Sequence, residues 1–202
     1  ISKPVNSENK MYLSIGPNNY KNLKLKVGNK KNISIDGFFS NNDGFRNASG
    51  YDQQKLKFQS GFFIASWKAK LNATLTNLNQ ETAGYINGFN SYKNENLSKL
   101  NFNPDAYRDA NSQKISISIS QIEDNILTSV TPYLRLNDMN FLQHYLPGTP
   151  MEKNSHISTG LIMQQIIEYD TFNEKKGIQV DLAKSEIMQI QKKIRNKGAI
   201  KR

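Results

Sequence analysis

Apolar and polar residues alternate with a two-residue period along much of this chain, the pattern of strands with one buried and one solvated face. Tyr12-Leu13-Ser14-Ile15 predicts a short strand that ends at the turn formers Gly16-Pro17-Asn18-Asn19. Leu23, Leu25 and Val27 then alternate with Asn22, Lys24 and Lys26, and Ile33 and Ile35 resume the pattern after Gly28-Asn29-Lys30-Lys31, so a hairpin is predicted. Residues 40–54 read as a polar loop rich in Asn and Gly. Leu56 and Phe58 restart the alternation. From Ile64 to Thr76 it is strongest, with Ala65, Trp67, Ala69, Leu71, Ala73 and Leu75 on one side and Ser66, Lys68, Lys70, Asn72, Thr74 and Thr76 on the other. At ~3.3 Å per residue this run spans roughly 40 Å, far beyond a strand of the usual five or six residues, so it is expected to curl, bulge or project.

Asn77 to Pro104 reads as a long polar excursion, and Pro104 suits the first turn of a helix over Asp105–Ala110. Ile115, Ile117 and Ile119 alternate with Ser116, Ser118 and Ser120 as another half-buried strand. Leu127–Leu136 is expected beside it, with Pro132 placing that part at a sheet edge. Beyond Pro147-Gly148-Thr149-Pro150 the spacing changes. Ile162, Ile166 and Tyr169, and later Ala183, Ile187, Ile190 and Ile194, recur at helical intervals, with Gly177 between the groups and Gly198 after them. Asp181 fits an N-cap, and Lys192, Lys193, Arg195 and Lys197 suit a helix C-terminus.

The fold class expected is therefore mainly β, an antiparallel sandwich or barrel-like sheet with a long projecting strand or hairpin, joined to a C-terminal helical segment and α+β overall. The expected organisation is a flexible arm over 1–10, a β-rich domain over 11–150 and a helical, basic segment over 151–202.

Composition narrows the chemistry. The chain has 202 residues, no cysteine and a hydrophobic fraction of 37%. Disulfides, thiolate nucleophiles and thiolate metal sites are thereby excluded, though the compartment is not identified. No apolar run approaches the ~18–20 residues of a membrane-spanning helix, and Ile1-Ser2-Lys3-Pro4 carries no signal-peptide apolar segment. The net charge of +10 favours an anionic partner: nucleic acid, an acidic protein face or an anionic membrane surface.

Catalytic candidates are sparse. His144 and His156 are the only histidines and read as surface or loop residues; no Gly-x-Ser-x-Gly elbow and no phosphate-binding glycine loop occurs. Glu174-Lys175-Lys176 has the Glu-x-Lys arrangement in which a carboxylate holds a metal ion while a lysine steadies a hydrolytic transition state, but Asp170 sits close in sequence for a second ligand, and a charged turn between helices explains the same residues without chemistry and is the favoured reading. The Asn-x-Ser/Thr tripeptides at Asn32, Asn47, Asn72 and Asn96 are what so Asn-rich a chain yields by chance. No cofactor and no enzymatic activity are expected.

Two basic groups are candidate contacts with nucleic acid or an acidic partner. Lys21, Lys24, Lys26, Lys30 and Lys31 gather on the first hairpin, and Lys192, Lys193, Arg195, Lys197, Lys201 and Arg202 at the C-terminus. Alternating lysines are also the ordinary solvent face of a strand. An overlong strand, polar excursions and a loose arm suit a non-enzymatic subunit of a multi-subunit assembly, such as a phage or virus particle, a tail or connector, or a secretion-type machine. Copies of itself and other subunits are then its partners, with Trp67, Leu71 and Leu75 as packing residues. The alternatives are a nucleic-acid-binding module using the lysine hairpin and a metal-dependent nuclease.

Overall fold

Turn chemistry divides the chain into strands that double back on one another. In the computed structural model, which describes residues 9–29, 32–171 and 174–194 (168–171 and 174–194 as backbone only), nine strands follow in order. They are β1 (Lys10–Gly16), β2 (Tyr20–Gly28), β3 (Ile33–Asn42), β4 (Tyr51–Ile64), β5 (Trp67–Glu81), β6 (Tyr107–Glu123), β7 (Ile126–Leu142), β8 (Met151–Thr171) and β9 (Glu174–Ile194). Each pairs antiparallel with its neighbour in sequence, giving a single nine-stranded sheet in the order β1 to β9. A 3-10 turn at Ser91–Lys93 and a short helix α1 at Glu95–Lys99 lie in the β5–β6 connection.

Connections at one end of the sheet are short. Asp124 and Asn125 both take positive φ, 46° and 66°, which is the type I′ geometry that matches strand twist. Ala65, with φ 51°, turns β4 into β5. The other end carries the longer loops 43–50, 82–106 and 143–150.

The strands lengthen along the chain, from 7 residues in β1 to 15 in β5 and 21 in β8 and β9. The alternation read through Ile64–Thr76 is thus two strands: β4 ends at Ile64, and the long strand runs from Trp67 to Glu81. Ala is not a turn former, which is why the reversal at Ala65 left no mark on the pattern. The turn of helix expected after Pro104 is instead the entry to β6.

Pro132 corrects the edge expectation. It lies in β7, between β6 and β8, where it pairs with Leu161. The register to β6 stops at Ser116↔Tyr133 and resumes at Ile119↔Val130, so the ladder is interrupted beside the residue that has no N–H to donate. Thr131 Oγ1 and Ser118 Oγ are hydrogen bonded at 3.0 Å in that gap.

The C-terminal helices are also corrected. Met151–Thr171 and Glu174–Ile194 form the longest hairpin of the sheet. A separation of four residues returns to the same side of a strand as well as of a helix. Ile162 and Ile166, or Ala183 and Ile187, therefore fit both periods, and pairing with β7 decides between them. Residues 1–8, within the expected arm, and 195–202, at the end of the basic segment, lie outside the described residues.

Candidate functional site

Residues directly opposite each other in paired strands project to the same side, so the register assigns each residue to one of two faces. One face is apolar across the sheet. Val27, Ile35, Phe58, Ala73, Ile115 and Leu134 stand opposite one another in turn from β2 to β7. Ala69, Ile119, Val130 and Met163 form a second such row. In an ordinary globular domain a second layer covers such a face. Here, among the described residues, the strands pack edge to edge with their sheet neighbours and no second layer of strands or helices is packed on the face. Beyond that, Tyr107 of β6 reaches Met151 of β8, and α1 meets the 3-10 turn and, through Lys99 O, Asn47 of loop 43–50. Large side chains of the face are consequently exposed, Met11 at 66%, Leu75 at 49% and Ile115 at 47%, and the buried apolar residues among those described are only Ala69 and Ala106.

The apolar surface has a defined height. On β5 it runs from Trp67 to Leu75 and on β4 from Leu56 to Ile64. It ends toward the long loops at a polar row, Gln54, Asn77, Asn111, Asp138 and Ser155, aligned from β4 to β8. Asn77 Nδ2 donates to Gln54 Oε1 at 2.8 Å within it. Gly37 leaves a shallow depression of about 410 Å³ just inside this border, floored by Leu25, Leu56 and Leu75.

The opposite face is polar and internally hydrogen bonded. Gln59 Nε2 donates to Asn72 Oδ1 at 2.7 Å, Ser112 Oγ to Asn137 Oδ1 at 2.6 Å and Arg135 Nε to Ser158 Oγ at 3.2 Å. Lys114 Nζ lies 5.8 Å from the Tyr133 ring centroid, a cation–π contact. Lys70 also belongs here; partial burial, and then the charges of Lys57 and Lys68, hold its ammonium below the usual 10.5.

The loops at the long end are stitched together by Arg46. Its Nε donates to Leu100 O at 2.9 Å, while its two terminal nitrogens donate to Gly84 O and Leu100 O. Asn101 Nδ2 adds a bond to Ala48 O at 2.7 Å, and Gly50 N one to a Glu81 carboxylate oxygen at 3.0 Å. Phe89, Tyr85, Tyr92 and Phe102 project from loop 82–106, all strongly exposed. His144 lies in loop 143–150, within the surface-or-loop expectation, and its Nδ1 is buried with no hydrogen-bond partner among the described residues; His156, whose Nε2 is likewise buried without one, lies instead within strand β8.

Of the residues singled out from sequence, Trp67, Leu71 and Leu75 all lie on the apolar face, as one line along β5. The hairpin lysines separate. Lys24 and Lys26 are on the polar face, whereas Lys21 stands opposite Ile15 and Asn41 at the border of the apolar one. Lys30 and Lys31 lie outside the described residues, as do Arg195, Lys197, Lys201 and Arg202. Lys192 and Lys193 pair with Lys153 and Glu152 on β8. Asp170 pairs with Lys175, Glu174 with Thr171 and Lys176 with Tyr169. Among the described residues no group of three or more His, Asp or Glu is placed to hold a metal ion. Sequence reading missed the apolar surface of β8, where Ile157, Leu161, Met163 and Ile167 keep strict odd positions, and the Arg46 staple, for which no local signal exists.

No protein-family model matches the chain, and a search of curated proteins finds no match. Among solved structures the fold is similar to a chain in the structure of the FpvAI-pyocin S2 complex, with a TM-score of 0.75 at 12% sequence identity. The similarity covers 96% of this chain and 30% of that one, so this chain spans about a third of the neighbour's length.

Proposed function

We propose that the sheet is a section of the wall of a transmembrane β-barrel, a non-enzymatic structural role in which the apolar face meets lipid and the polar face lines an aqueous interior. The observation that carries this reading is the uncovered apolar belt of defined height. From Trp67 to Leu75 it takes roughly nine residues, within the ~9–11 that a tilted transmembrane strand needs. Alternation of apolar-out and polar-in residues, tight turns at one end and longer loops at the other are further properties of such walls. No helix among the described residues is long and apolar enough to cross a membrane; in this reading the strands are the spanning elements.

The expectation of a subunit completed by neighbours takes a specific form here. Among the described residues β1 and β9 each have one strand partner, and hydrocarbon tolerates no open edge. Further strands, from the same polypeptide or from other copies, complete the wall. Loops 43–50, 82–106 and 143–150 then stand on the outer side of the membrane, where longer loops are found.

The absence of cysteine makes the test clean. Single cysteines placed in turn at positions 69 to 76 and spin-labelled in phospholipid vesicles should show oxygen accessibility peaking at Ala69, Leu71, Ala73 and Leu75. Accessibility to a water-soluble nickel chelate should peak at Lys70, Asn72, Thr74 and Thr76. Equal accessibility of both sets to the chelate would remove the reading.

A further inference from the structure

We propose that the polar face carries a transverse cationic band that binds multivalent anions, the class of phosphorylated or polycarboxylate solutes. The inference rests on the reading of that face as an aqueous interior and adds a ligand class to it. The band is fixed by register. Lys10 stands opposite Lys26, Lys26 opposite Asp36 and Asp36 opposite Lys57. Lys57 and Lys114 both stand opposite Thr74, and Lys114 opposite Arg135. Five cations and one carboxylate thus lie at a single level from β1 to β7. At ~4.8 Å between strands, Lys57 and Lys114 are ~10 Å apart at the backbone, and Lys114 and Arg135 ~5 Å.

Three features separate this band from an ordinary solvated strand face. First, the cations are aligned across strands rather than scattered along them, and Lys24 and Lys55, separated by Phe38, repeat the alignment one step further on. Second, the band lies at the depth of the apolar belt: Lys57 is flanked on β4 by Leu56 and Phe58, which point to the lipid side. Ionisable residues at membrane depth are costly to keep and characteristically line substrate or ion pathways, and rings of Lys or Arg favour anions. Third, the lysines of this face sense one another, since Lys57 and Lys68 both disfavour the charged form of Lys70. A bound polyanion relieves that repulsion. Charge complementarity therefore selects the occupant, with anionic groups spaced about 5–10 Å.

The test uses the chain in neutral phosphatidylcholine vesicles, with inorganic tripolyphosphate as probe and calorimetry as readout. Wild type should bind, with affinity falling as salt rises. Lys57→Glu combined with Lys114→Glu should weaken binding at least tenfold, and Lys93→Glu, in the 3-10 turn, should leave it unchanged. The milder Lys57→Gln with Lys114→Gln should weaken binding in the same direction should charge reversal impair folding. Spin-label alternation in the same vesicles reports insertion separately. Insertion without binding, or equal binding by wild type and the doubly substituted chains, overturns the band and leaves the wall intact. Binding without insertion supports the band and sinks the wall.

Discussion

The side-chain amides of Asn77 and Gln54 are joined at 2.8 Å on the same face as Leu75 and Leu56, one step further toward the long loops. That single step changes the surface from hydrocarbon to amide; β7 changes from Leu136 to Asp138 at the same level, while on β6 the change comes one step earlier, between Ile115 and Gln113, and on β3 Phe39 still stands opposite Gln54. On the proposed reading, this change of chemistry from β4 to β8 marks the edge of the hydrocarbon layer.

Depth along β5 should therefore set the energetic effect of a charge. Leu71→Arg, midway between Trp67 and Leu75, should cost about 2–4 kcal/mol in folding into vesicles, whereas Asn77→Arg, at the border, should cost only about 0–1 kcal/mol. Denaturant titration of both variants in lipid measures the pair, and equal effects would mean that the face is not in contact with a hydrocarbon layer.

Two glycines within strands should respond oppositely to alanine. A Cβ at Gly160 would lie 2.6 Å from ring atoms of Tyr133, its partner on β7, so the ring must move. Gly160→Ala is expected to destabilise by about 1–3 kcal/mol, and much of that loss should disappear in a Tyr133→Ala background. At Gly37 the nearest atom is Leu25 Cβ at 4.0 Å, so Gly37→Ala should be neutral or stabilise by about 0.5–1 kcal/mol.

Arg46 holds two loops through three donated bonds. Arg46→Ala should leave the β-sheet circular dichroism unchanged but expose loop 82–106 to limited proteolysis. Cleavage at the same rate as in wild type would show that the staple does not order the loop.

The depressed ammonium of Lys70 gives stability a defined dependence on pH. Below its folded value both folded and unfolded chains are protonated and the full penalty applies; as pH rises through that value toward 10.5, the folded state releases its proton first and gains stability. The difference in stability between wild type and Lys70→Gln should accordingly shrink on moving from pH 8 to pH 11. A difference that stays constant would mean that neither burial nor Lys57 and Lys68 act on this group.

How far the sequence revealed this arrangement depends on which contacts decide each part. Strands whose alternation is strict, such as Leu23–Val27 and Ile115–Ile119, were legible because their two faces have a single chemistry each. β8 was not, since apolar residues on both faces, Leu161 and Met163 on one and Ile162 and Ile166 on the other, create intervals that fit either period. Pro132 in an inner strand and the reversal at Ala65 depend on neighbouring strands and on a backbone angle. The placement of Trp67, Leu71 and Leu75 was half legible: the sequence pointed to a surface needing a partner, but only the alignment of apolar rows across strands, set by the register, shows that the surface extends over the sheet.

Trp67 is the one tryptophan in the chain and stands at the end of the belt nearest the tight turns. Its fluorescence in vesicles containing brominated phospholipids is the most direct measurement of where the apolar face lies. Strong quenching by bromines on the acyl chains, with little quenching by aqueous iodide, is the result expected of a lipid-facing wall. Efficient quenching by iodide with no response to the brominated lipids would contradict it.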